Sequence, residues 1–89
     1  MQGITLVEFP VSQFRGTCTL TAPSRELLDS VPVRNFVLQE AQSRGLFRAG
    51  FSGAPEIYAV DADGKPLAPL VASPGALTYK AVYKVAGGL

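Results

Sequence analysis

In the stretch Ala76-Leu-Thr-Tyr-Lys-Ala-Val-Tyr-Lys-Val-Ala86, the residues Leu77, Tyr79, Ala81, Tyr83 and Val85 alternate with Thr78, Lys80, Val82, Lys84 and Ala86. Successive side chains of a strand point to opposite faces. A period of two therefore predicts a long strand with one face against a core and a second face, carrying both lysines, toward solvent. Its partners lie on either side of it in the sequence. Gly16 to Thr21 alternates in the same way, with Cys18 and Leu20 inward and Thr17, Thr19 and Thr21 outward. Residues 3–9 read as another strand, with Thr5, Val7 and Phe9 on one face and Ile4, Leu6 and Glu8 on the other, and these two segments pair as a first hairpin. Glu56 to Val60 reads as a further strand, turned by Asp61-Ala62-Asp63-Gly64 into an arm at 65–72. Pro66 and Pro69 make that arm an edge or an irregular strand, and Pro74-Gly75 turns the chain again.

Between residues 23 and 44 the period changes. Val33, Phe36, Val37 and Ala41 recur at helical spacing and should face the core, while Glu40 and Arg44 are oriented for an i,i+4 ion pair. Pro32 lacks an amide hydrogen and disfavours helix at Val31. The segment thus splits into a short turn at 23–30, with Arg25 and Asp29 as an ion pair, and a helix at 32–44 started by Ser30 or Asp29. Gly45 is placed for a left-handed cap, after which Leu46 folds back over Ala41. Residues 46–55 read as a glycine-punctuated connection. The resulting order, β-β-α-β-β-β, describes one small two-layer α+β domain over residues 1–86, with a mainly antiparallel sheet, helices on one side and a short Gly-rich tail at 87–89. By element count alone this order resembles the β-grasp arrangement, and an incomplete five-stranded oligonucleotide-binding barrel competes with it.

Composition narrows the function classes. The 89 residues suffice for one core, and a formal charge of +1 gives no strong overall field to draw nucleic acid or a membrane surface. With no histidine and one cysteine, Cys18, the chain has no imidazole acid or base and no intrachain disulfide. The positive mean hydropathy of +0.22 in so short a chain points to apolar surface covered by another protein or by further copies of itself. No run is long enough for a membrane span and no export signal is visible, so the expected location is the cytoplasm or a soluble macromolecular assembly. Gly3-Ile4-Thr5-Leu6-Val7-Glu8 resembles the cleavage region of type IV prepilins. The likeness ends where Pro10, Ser12, Gln13 and Arg15 replace the long apolar helix of that family. Gly87-Gly88 resembles the carboxy-terminal tail of ubiquitin-like carriers, which implies, if Leu89 were removed, a carrier or modifier.

No constellation calls for catalysis, a cofactor or a metal. Asp61 and Asp63 lack the later ligands of a calcium loop and read as turn residues. Cys18 sits in phase for burial and has no base beside it, and the glycines near Arg48 are not spaced as a phosphate loop. Two surfaces remain. Leu46, Phe47, Arg48 and Phe51 place large side chains on the glycine-flanked connection, a pattern suited to a protein interface. Phe14, Arg15, Lys65, Lys80 and Lys84 form the alternative, a single-stranded nucleic-acid contact. Against it, strand phase sends Tyr79 and Tyr83 to the face away from the lysines. The expected function is a non-enzymatic accessory or structural subunit that packs against other protein chains, with the nucleic-acid binder and the carrier as alternatives.

Overall fold

The computed structural model describes residues 3–61, 65–66 and 78–88. Its elements are strands β1 (Thr5–Glu8), β2 (Val11–Ser12) and β3 (Arg15–Ala22), helices α1 (Arg25–Leu28) and α2 (Val31–Ser43), and strands β4 (Phe47–Phe51), β5 (Glu56–Val60) and β6 (Thr78–Gly88). All strand pairs among the described residues are antiparallel. The sheet runs β1-β3-β6-β4, with β2 on β3 and β5 on β6. Both helices lie on one face, giving the two-layer α+β domain expected from the alternation.

β6 is the spine of the sheet. It pairs with β3 from Arg15↔Ala86 to Ala22↔Tyr79 and carries β5 and then β4 along its other side. Ala81, Tyr83 and Val85 of β6 and Cys18, Leu20 and Ala22 of β3 are buried under Leu28, Val33, Val37 and Ala41 of the helices. Phe36 and Tyr79 are half-buried against that core. Burying one large aliphatic side chain is worth about 1.5–3 kcal/mol, so the helices are held chiefly by this seam. Val60 bridges Pro66, and Asp61 and Lys65 are joined by Asp61 N–H to Lys65 O and Lys65 N–H to Asp61 Oδ1, both 2.9 Å. Asp63, Gly64, Pro69, Pro74 and Gly75, and with them most of the arm expected at 65–72, lie outside the described residues.

Ser24 and Ser30 cap the two helices by accepting from Leu27 N–H and Val33 N–H, and Pro32 sits in the first turn of α2, where a missing N–H costs nothing. Glu40 pairs with Arg44 at 3.2 Å as expected, and Arg44 also lies 5.1 Å above the Phe9 ring. Asp29 pairs with Arg34, not with Arg25. The reason is that Asp29 is the C-cap of α1, outside the helical register that an i,i+4 pair requires. The Tyr83 hydroxyl donates to the Leu28 carbonyl, tying β6 to the junction of the two helices.

Three sequence expectations are corrected. A bulge between Leu6 and Glu8 splits the common face expected for Thr5, Val7 and Phe9: Val7 is 54% exposed, whereas Phe9 is buried. Residues 47–51, expected in an irregular connection, form β4. Gly87 and Gly88, expected in a loose tail, belong to β6, with Gly88 opposite Phe47.

Candidate functional site

The end of α2 sets up β4. Gly45 takes φ +98°, a conformation that a Cβ disfavours, and the Gly45 and Leu46 amides donate to the carbonyls of Gln42 and Ala41, both at 3.0 Å. Leu46 is thereby driven into the core, where it is 2% exposed and lies close against Gly16 and Gly87. It is a core anchor and not a surface contact, which removes it from the interface set read from the sequence.

From that anchor the chain runs along β6 with Phe47↔Gly88, Gly50↔Ala86 and Phe51↔Val85, and Ser52 N–H closes the strand on Lys84 O at 2.8 Å. Two β6 steps, from Gly88 to Ala86, face three β4 steps, from Phe47 to Gly50. The extra residue is accommodated by a bulge in which Arg48 has φ +54°. As a result the two phenylalanines take opposite faces. Phe51 shares the Val85 row under the helices, its ring 5.4 Å from that of Tyr83, and remains 36% exposed. Phe47 shares the row of Gly88 and is 50% exposed. β4 ends the sheet order, so its outer side is an edge among the described residues. Beside it an open groove of about 330 Å³ is lined by Asn35, Leu38, Gln39 and Gln42 of α2 and by Arg48 and Ala49 of β4.

The residues of the nucleic-acid alternative are gathered only in part. Arg15 and Lys84 stand on the face away from the helices, opposite Ala86 and Thr17, and Lys80 shares that face opposite Thr21. Phe14 is the second residue of the β2–β3 turn, at φ +66° and 51% exposed, and Lys65 is bonded to Asp61 beyond the end of β5. Tyr58 lies directly opposite Lys80 on the helix-free face, an aromatic that the sequence reading missed. Register between Glu56–Val60 and the last strand was the signal that would have found it. The same face also carries Glu56 opposite Val82 and Glu8 opposite Thr19, so its cations are interleaved with carboxylates.

Burial pushes the Cys18 thiol up to about 12, with Arg44 lowering it and Glu40 raising it to smaller extents, so the sulfur stays protonated at neutral pH. Desolvation likewise raises Tyr83, opposed by its contact with Arg34. Among the described residues no three histidine, cysteine or carboxylate side chains converge as metal ligands, and no helix is long and apolar enough to cross a membrane. The chain matches no protein-family model, no curated protein and no solved structure.

Proposed function

We propose that this domain is a non-enzymatic accessory subunit that docks on another protein chain through β4. The observation that carries the reading is Phe47: a half-exposed phenylalanine on an end strand of the sheet, next to an exposed arginine and outside the core cluster formed by the described residues. Aromatic and arginine side chains supply much of the energy of protein interfaces, and a strand fixed by the sheet presents them without ordering a loop at the moment of binding. The interleaved carboxylates Glu8 and Glu56 make the helix-free face a poorer match for a polyanion. Gly87 and Gly88, held in β6, are not the free tail on which a carrier would depend.

The test compares tagged wild-type protein, Phe47→Ser and Val31→Ser in their native host. Val31 is the control because it is exposed on α2 and is not among the residues that line the groove beside β4. Phe47→Ser is expected to keep its melting transition while binding its co-purified partner at least about fivefold more weakly, the equivalent of an interface anchor. Val31→Ser should keep both. Unchanged partner affinity in Phe47→Ser would overturn the reading.

A further inference from the structure

We propose that the groove between α2 and β4 receives an extended, acidic peptide segment of the partner, laid alongside the outer edge of β4. The inference rests on the docking reading above and names the chemistry of what docks. Asn35, Gln39 and Gln42 line the groove from α2 at spacings of four and three residues, so at about 1.5 Å of rise per residue they cover about 10 Å. That is the length of about three residues of extended chain at roughly 3.3 Å each. A carboxamide carries both donors and an acceptor, which is what the alternating N–H and C=O groups of a peptide backbone require. None of these three carboxamides makes a hydrogen bond within the described residues. Leu38, half-buried between them, supplies an apolar floor, and β4 offers on the other wall a sheet edge whose backbone is unpaired among the described residues.

The charge comes from Arg48. It lines the same groove and, unlike Arg34 and Arg44, pairs with no carboxylate among the described residues, so a carboxylate on the segment would complement it. A second copy of this chain is the less suitable occupant. The bulge at Arg48 interrupts the run of edge backbone, and a bulge with a charged side chain is how sheet edges resist pairing with one another. A short peptide steadied by the α2 carboxamides needs only a few backbone bonds on β4.

The probes are blocked pentapeptides, acetyl-Thr-Val-X-Val-Thr-amide, with X as Asp, Asn or Lys, and an Asp peptide N-methylated at both valines. They are titrated into isotope-labelled protein while the side-chain NH₂ signals of Asn35, Gln39 and Gln42 and the backbone amides of residues 48–50 are followed by NMR. The Asp peptide is expected to shift these signals saturably, the Asn peptide to bind more weakly, and the Lys and N-methylated peptides to leave them in place. Arg48→Asn, which tolerates the positive φ, should weaken the Asp peptide roughly three- to fivefold and leave the Asn peptide unchanged. Absence of saturable shifts at these residues with millimolar Asp peptide, or equal affinity for the Asp and Lys peptides, would overturn the inference. In either of those cases, continued dependence of partner binding on Phe47 would leave the docking reading standing. Peptide binding with unchanged partner affinity in Phe47→Ser would do the reverse.

Discussion

Replacing Gly87 with alanine tests the way β4 is seated. A Cβ on Gly87 would lie 2.9 Å from the Phe47 carbonyl oxygen, 3.1 Å from Leu46 Cβ and 3.2 Å from the Leu46 carbonyl carbon. Two of those atoms are backbone and the third is the root of a buried side chain, so relief requires moving the start of β4 and not merely turning a rotamer. Overpacking of this kind costs about 1–3 kcal/mol. Gly87 has no positive φ, so alanine also recovers about 0.4–1 kcal/mol by restricting the unfolded chain. From the middle of each range the net loss is about 1.3 kcal/mol, which in a domain of this size lowers Tm by roughly 5 to 10 °C. Gly88 is the internal control: one residue further along the same strand, a Cβ there meets nothing within 4 Å. Urea and thermal melts of wild type, Gly87→Ala and Gly88→Ala, with hydrogen exchange read at residues 47–51, separate the cases. Gly87→Ala should lose stability and protection in β4, and Gly88→Ala should do neither. A Gly87→Ala protein as stable as wild type, or an equal loss in both variants, would refute the close approach of β4 to β6.

Tyr83→Phe leaves the Leu28 carbonyl without the hydroxyl that donates to it, and the expected loss is about 1–3 kcal/mol in a denaturant melt, against less than about 0.5 kcal/mol for Tyr79→Phe at a half-buried ring. Cys18 gives an alkaline signature. Its thiol titrates near 12 when folded and near 9.0 when free, so between those values the native state holds a proton that the unfolded state releases. Stability therefore falls as pH rises through that window, by up to about 1.4 kcal/mol per pH unit, with no contribution from this group below it. Melts from pH 8 to pH 11 should show a steeper fall for wild type than for Cys18→Ala; parallel curves would contradict the burial of the thiol.

How far the fold can be read from the chain depends on which physical rule governs each element. β3, β6 and α2 are set by the period of their own apolar residues, and Cys18, Leu20, Ala81, Tyr83, Val33 and Val37 are all buried where alternation and helical spacing put them. The bulge in β1 is different in kind. One additional residue, Val7, reverses the faces of everything after it, and Leu6-Val7-Glu8 contains neither a glycine nor a break in pattern to announce it. Asp29 shows the same limit at a helix end. Its sequence distance to Arg25 suits a salt bridge, but only inside a helix, and the C-cap geometry turns it toward Arg34 instead.

The candidate site was legible as residue types and not as geometry. Phe-Arg-Ala-Gly-Phe has weak β propensity at its centre and no alternation, so nothing local makes it a strand. What does is tertiary: the open side of β6, the Leu46 anchor, and a glycine at position 87 that lets the two backbones approach. The same seating explains the conformation of Arg48. Holding an L-residue in the left-handed region costs roughly 1–2 kcal/mol relative to glycine, and the chain uses glycine for that conformation at Gly3, Gly45 and Gly53 but not at Phe14 or Arg48. At Arg48 it has an exposed arginine instead, whose side chain lines the groove and pairs with no carboxylate among the described residues. Folding gains little from a charged side chain so placed. Under the docking proposal, a contact made at that edge with another molecule is what would offset the strain.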